Sequence, residues 1–344
     1  MKRVLAALCV LFFMLSHSQA ITKSRKAKDY FDQALEEQKM GNCQDAIALY
    51  TKAIKSDKEF WEAYYNRGNA YLKLERYSDA IKDFTKAIAL NPDNPKIYNN
   101  RGYALKQLGQ YQEAIRDFTA AIERDPDSAD VLLNRARLYE ETGNLDAAIR
   151  DYTKALDLEP NNPEAYFSRG YLEAKQGYLS KAIDDYTEAI SQDPKYSEAY
   201  FQRAQLLEKE GKLEQAISDY SRATQLDPEN ETAHYNLGVI YSRMGRYQDA
   251  VGEFTDAIQL KEGEKAYIGR GYCLAALGKH KEAIVDFSRA IELAPNDPDA
   301  YLNRGTSYRR IGNNRAFLDD YRKAAALGSS QARAYLRSKG IGWK

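Results

Sequence analysis

Residues 95–128 read PKIYNNRGYALKQLGQYQEAIRDFTAAIERDPDS. One period of 34 residues upstream, Trp61 to Asn94 gives WEAYYNRGNAYLKLERYSDAIKDFTKAIALNPDN, and further downstream Pro163 to Tyr196 gives PEAYFSRGYLEAKQGYLSKAIDDYTEAISQDPKY. A fixed period of this length marks stacked repeats, because a unit this short cannot bury its apolar face alone. Inside the unit the apolar residues fall at helical spacing twice. Tyr98, Gly102 and Leu105 lie four and then three residues apart, on one stripe of a helix. Gly109 stands where that helix must stop and turn. Ala114, Phe118 and Ala121 form a second stripe, and Pro126 closes it. The spacing predicts two antiparallel helices joined by a short turn. Gly102, Ala114 and Ala121 let the backbones approach, while Tyr98 and Phe118 fill the flanking space.

This order of aromatic, Gly or Ala, aromatic, Ala, aromatic, Ala and Pro resembles the tetratricopeptide repeat. The resemblance implies an all-α fold, a right-handed α-solenoid or superhelix of antiparallel helix pairs ending in a C-terminal capping helix. It covers nearly the whole chain after residue 26. Repeats begin at about 27, 61, 95, 129, 163, 197, 231, 264 and 298, giving a nine-repeat array over 27–328. All nine keep an alanine at the last core position, Ala53, Ala87, Ala121, Ala155, Ala189, Ala223, Ala257, Ala290 and Ala324. Leucine there would over-pack the helix crossing, at a cost of about 1–3 kcal/mol. The aromatic three residues earlier is equally regular, from Tyr50 and Phe84 to Tyr321.

Departures from the pattern mark special units. Lys58 replaces the closing proline of the first repeat, as suits an end unit. The seventh repeat is one residue short and closes on Lys261-Glu262-Gly263, which predicts a local change of stacking angle. In the ninth, Phe317 stands where earlier units have Ala46 or Ala283, so the packing of the last pair should change. Residues 329–344 then read as a closing helix and tail, capped by Ser329 or Ser330 and stopped by Gly340. Ala332, Tyr335 and Leu336 should face the last repeat and Arg333, Arg337 and Lys339 water, the half-polar cap a solenoid needs.

Residues 1–20 stand apart. Met1-Lys2-Arg3 is a basic start, Val4 to Leu15 an apolar run of twelve, and Ser18-Gln19-Ala20 offers small residues at a cleavage point. This is the layout of a secretory signal peptide, with a run too short to span a bilayer comfortably. Residues 21–26 are a short basic lead-in. The expected product is exported, periplasmic or extracellular, with no membrane span after cleavage. Basic and acidic residues number 50 each over the chain, and removal of Lys2 and Arg3 leaves 48 against 50, or −2. That balance argues against nucleic acid or an anionic membrane as the main partner. Cys43 and Cys273 remain, in repeats that stacking would hold on the order of 60 Å apart, so both read as free packing thiols.

A charge pair follows the period. Arg67, Arg101, Arg135, Arg169, Arg203, Arg270 and Arg304 occupy one column, and Asp83, Asp117, Asp151, Asp185, Asp219, Asp286 and Asp320 another, in the same seven repeats. Repeat seven has Leu237 and Glu253 instead. The two columns lie at nearly equal height in an antiparallel pair, which favours structural ion pairs within each repeat over ligand contacts.

Catalytic chemistry finds no support. His234 and His280 lack cysteine or carboxylate neighbours at metal-ligand spacing, and no phosphate loop, nucleophile elbow or paired-carboxylate context appears. Neither an enzyme, a cofactor nor a metal is expected. Binding remains. In the family it resembles, first helices line a concave groove that holds extended peptides or partner helices. The groove positions implied are the residue after the initial aromatic and the one four further on. They hold Phe31, Tyr65, Phe167, Phe201 and Tyr235 at the first, and Tyr103, Arg137, Tyr171 and Tyr272 at the second. Such rings suit a peptide or an unfolded segment and are expected to lie off the helix-packing face. The same rings also read as padding between neighbouring first helices. No first-groove position is Lys or Arg and Asn99 is its only polar residue, unlike the carboxylate clamp of co-chaperone members. The function expected is an exported scaffold or adaptor for protein or peptide partners in a bacterial envelope; the alternative is a holdase-like co-chaperone for unfolded apolar segments.

Overall fold

Every repeat solves the same local problem, which is to end one helix and start an antiparallel one within three residues. The solution is a residue in the left-handed region after the first helix. Gly109, at φ +72°, does this after Pro95–Gln107, and its N–H and that of Gln110 cap the carbonyls of Lys106 and Leu105. In the second repeat the post falls to Glu75, at φ +57°, the sole non-glycine residue with positive φ among the described residues. An L-residue in that region is disfavoured by roughly 1–2 kcal/mol, partly offset for glycine by its larger unfolded-state entropy. Glu75→Gly is therefore expected to raise unfolding free energy by about 0.5–1 kcal/mol in urea titration.

The structure is a computed structural model that describes residues 25–343. The expected signal segment lies outside the described residues, as does most of the 21–26 lead-in, and Arg25 and Lys26 already belong to the first helix. Nineteen helices and no strand occur among the described residues. They divide into two units at Leu172 and Glu173, inside the helix Pro163–Gln176. The first unit holds the pairs 25–39 with Cys43–Ser56, Trp61–Lys73 with Tyr77–Leu90, Pro95–Gln107 with Tyr111–Arg124, and Ala129–Glu141 with Leu145–Leu158. The second holds Leu179–Gln192, then Ser197–Lys209 with Leu213–Leu226, Glu231–Arg243 with Tyr247–Leu260, Glu264–Ala276 with His280–Leu293, Pro298–Arg310 with Asn314–Ala326, and the closing Ser330–Ser338. Within each unit, both helices of a repeat pack together and the second packs on the first helix of the next repeat.

The core is a row of small and aromatic residues. All nine period alanines are buried, at 2% exposure or less. Phe84, Phe118, Phe254 and Phe287 are equally buried, each under a glycine of the facing helix. A Cβ built on Gly102 would stand 2.9 Å from the Phe118 ring, closer than real Cβ contacts come, so the aromatic column needs the small column opposite it.

The arginine and aspartate columns meet within six of the repeats. Arg101 donates Nε and Nη2 to the two carboxylate oxygens of Asp117, both at 2.7 Å, and five more repeats show the same fork: Arg67–Asp83, Arg135–Asp151, Arg203–Asp219, Arg270–Asp286 and Arg304–Asp320. The remaining Nη1 reaches the preceding repeat. It donates to Thr85 from Arg101, to Thr119 from Arg135, to Thr153 from Arg169 and to Ser288 from Arg304, at 2.9–3.1 Å. In these six repeats the guanidinium thus ties its own aspartate and a hydroxyl of the previous repeat's second helix. Thr119 in turn donates to the Ile115 carbonyl at 2.7 Å.

At the C-terminal end Phe317 is buried between Tyr321 (ring centroids 4.5 Å apart) and Tyr335 of the closing helix (5.3 Å). The oversized residue thus makes the seat for the cap. Ser329 Oγ accepts from the Ala332 N–H at 3.3 Å, and Gly340 ends the turn at φ +69°. One expectation fails there. Arg333 does not point to water but lies half-buried and donates Nε at 2.7 Å to the Ala325 carbonyl, which at the helix end also accepts a longer 3.2 Å bond from the Gly328 N–H.

Candidate partner-binding face

First helices touch one another in succession within each unit, those of repeats two, three and four in the first and of seven, eight and nine in the second. Their shared surface carries the predicted positions, which separate into two groups. Tyr103, Tyr171 and Tyr272 are 43%, 43% and 50% exposed, and Arg137 is exposed beside them in sequence order. These side chains are open to a partner.

Rings four residues earlier are different. Tyr65 packs on Phe84 with centroids 6.0 Å apart, Phe201 meets Tyr220 edge-on at 5.8 Å, and Tyr235 meets Phe254 edge-on at 5.8 Å. Phe31 lies against Tyr50 and Phe60, and Phe167 is half-buried. The expectation that this whole set lies off the helix-packing face therefore fails for these packed rings, and Tyr272 of the second group also meets Tyr247 edge-on at 6.3 Å. Four residues advance a helix by about 40° beyond a full turn, enough to move a side chain from the seam between helices to the open surface.

An adjoining column escaped attention in the sequence. Asn66, Asn100, Asn134, Asn236 and Asn303 recur one residue after the half-buried rings or their equivalents. Asn100 Nδ2 donates to Asn69 Oδ1 at 2.8 Å and to the Tyr65 hydroxyl at 3.2 Å, and Asn134 Nδ2 to Asn99 Oδ1 at 3.1 Å. These amides link first helices of successive repeats and offer both donors and acceptors along the surface. Their period was a sufficient signal, but amides are polar and solvent-tolerant, so the period alone assigns them no burial.

In the second unit the face opens into a cavity of ≈ 500 Å³ between repeats eight and nine. Tyr272, Asn303, Thr306, Ser307 and Arg310 line it from the first helices, and His280 from the start of a second helix. The Nδ1 atom of His280 is buried without a hydrogen-bond partner. The cavity combines a ring, an amide, hydroxyls and a cation, a set that can hold an extended backbone and one acidic group.

His234 is not isolated as the sequence led one to expect. Its Nδ1 lies 2.8 Å from Glu253 Oε2 and 4.0 Å from Asp256 Oδ2, on the neighbouring helix of the same repeat. The hydrogen bond with Glu253, outweighing the opposing effect of burial, raises the imidazole pKa above its ordinary value. Linear spacing concealed this, since antiparallel packing brings together residues some twenty positions apart. Both cysteines are free and buried, and burial pushes the Cys273 thiol up. No helix among the described residues is long and apolar enough to cross a membrane.

Comparison with known proteins agrees with the repeat geometry. Sequence profiles of the tetratricopeptide repeat match residues 61–94 and 264–297, 99–158 and 136–197, 185–218, and 231–263, and a TPR repeat profile matches 36–75 and 209–245. Nothing among curated proteins matches the sequence. Among solved structures, YrrB, described as a TPR protein with an unusual peptide-binding site, is 23% identical with a TM-score of 0.51, over 54% of this chain and 97% of that one. A tetratricopeptide repeat protein from Parabacteroides merdae is 20% identical over 71% of this chain and 97% of its own, with a TM-score of 0.47. MamA protein is 27% identical over 48% and 92%, with a TM-score of 0.46. With matches running through most of its length and helix pairs at the same period, the chain belongs to the tetratricopeptide-repeat family.

Proposed function

We propose that the protein is an exported scaffold that binds extended segments of partner proteins along the surface of its first helices. The exposed rings Tyr103, Tyr171 and Tyr272 carry this reading. They occupy one column of the repeat, they are open to solvent, and their neighbours in the core already fill the packing role. Large rings in a repeating column give a partner contact area at low entropic cost. The asparagine column beside them supplies amide groups for the partner's backbone, and Arg137 and Arg310 offer cations for an acidic side chain. YrrB's description as a peptide-binding protein agrees with this reading. Export is supported by the basic start, the twelve-residue apolar run and the small residues ending at Ala20.

The test is a peptide-array selection with the purified protein, followed by titration of the best extended peptide. Tyr103→Ala, Tyr171→Ala and Tyr272→Ala are combined in one variant. A true anchor costs about 2 kcal/mol on truncation, so affinity should fall roughly thirtyfold or more, with the melting temperature unchanged because these rings bear little of the core. Equal affinity in wild type and variant would remove the face from consideration. Suppression of aggregation of unrelated unfolded clients, with no preferred peptide, would replace the scaffold by a holdase. For export, the mass of the protein recovered from its source should correspond to a chain starting at Ile21. A full-length chain in an integral membrane fraction would mean an anchor instead.

A further inference from the structure

Repeat seven departs from the chain's own columns at four positions together. It has His234 where its neighbours have Tyr200 and Tyr267, Leu237 in the arginine column, and Glu253 in the aspartate column. The fourth is Asp256, in a column that is basic in most repeats, as in Lys86, Arg222 and Arg289. An exchanged ion pair explains the first three, since an imidazolium can stand in for the lost guanidinium. It does not explain the fourth, which sets a second carboxylate near the first. Three ligand types with one face in common are what a cation site requires, and loss of the arginine removes the side chain that elsewhere occupies the carboxylate.

The backbone supports that placement. His234 lies in the first turn of Glu231–Arg243, and Glu253 and Asp256 lie three apart on one side of Tyr247–Leu260. One ligand atom from each of the three residues comes within 4.8 Å of the other two. Ligands at about 2.0–2.2 Å around a tetrahedral ion stand roughly 3.3 Å apart, so small rotations of the two carboxylates suffice. His234 itself is buried, at 9% exposure, while the Asp256 side chain is 54% exposed and leaves the outer side open.

We propose that His234 Nδ1, Glu253 and Asp256 form a binding site for a divalent transition metal ion, Zn2+ by donor set, with its fourth position open to water or to a partner's ligand. The ion takes the place of the proton shared by Nδ1 and Glu253, and that proton leaves to solvent. The site clips the two helices of repeat seven together at the end from which the shortened 261–263 connection departs. It is independent of the peptide-binding reading.

Titration of the chelator-stripped, purified protein with Zn2+ by calorimetry tests this, with Co2+ absorption reporting the ligand set. Asp256→Lys restores the common basic residue at an exposed position and should leave the melt intact. His234→Tyr restores the common aromatic. One Zn2+ per chain is expected for the wild type, with affinity at least about tenfold lower in Asp256→Lys and no saturable binding in His234→Tyr. Cys43→Ser with Cys273→Ser should bind as the wild type does. The site is refuted by absence of saturable wild-type binding, by equal binding in Asp256→Lys, or by loss of binding with the cysteines.

Discussion

Phe254→Ala should destabilise the protein by about 3–5 kcal/mol, the largest single-residue loss expected. The ring is 1% exposed and lies between two repeats. A Cβ on Gly238 of its own repeat would stand 3.0 Å from it, and one on Gly269 of the next repeat 2.6 Å. Tyr235 meets it edge-on as well. Truncation therefore opens a cavity walled on two sides by backbone, and glycines carry no side chain that could relax into the space. Solenoid repeats touch only their neighbours, so the damage should stay local. Hydrogen exchange should accelerate across 231–276 while 77–141 keeps its protection, and urea unfolding should show an early transition. A loss below 1 kcal/mol, or uniform acceleration through both ranges, would contradict this picture of the core.

Asp117→Ala should cost about 2–3 kcal/mol. A broken buried ion pair usually costs about 3–5 kcal/mol, but the Arg101 side chain keeps 20% exposure and water solvates part of the orphaned charge. The substitution removes both acceptors of a two-point fork and leaves Arg101 its Thr85 hydrogen bond and the Tyr98 ring beneath it. Replacing both partners by leucine should recover most of the loss, because a matched apolar pair buries no charge. The chain already carries leucine in the arginine column, at Leu237, buried to 1%. A double-mutant cycle in urea should give a coupling of at least about 1 kcal/mol. Near-zero coupling, or a single-variant loss below 0.5 kcal/mol, would show that the fork contributes only register.

Much of this molecule was legible before any coordinates, for one physical reason. In a stack of like repeats, the important contacts join residues at constant sequence separation, as the arginine and aspartate columns do at 16 residues in six repeats. A period in the sequence is then a contact in space. Helix pairing, the buried alanine and aromatic columns and the glycine turns all follow from it, and so does the pairing of Arg101 with Asp117.

Rotation about the helix axis was less legible. Tyr235 and Tyr272 are both tyrosines on first helices, yet one is packed edge-on against Phe254 and the other is half open. Helical period alone places both near one face, and only the packing of the adjacent helix decides which ring it covers. The second arm of each arginine was hidden for a related reason, because Thr85 belongs to the repeat before Arg101 and the period does not say which neighbour a long side chain will reach. His234 is the extreme case. Its carboxylate neighbours lie 19 and 22 positions away, visible as departures from three columns but joined only by antiparallel packing. What the sequence by itself determined was the repeating scaffold, which many equivalent residues specify together. What only the tertiary structure decided was the fate of single side chains at the helix seams, where one neighbour's position settles burial, partner and charge.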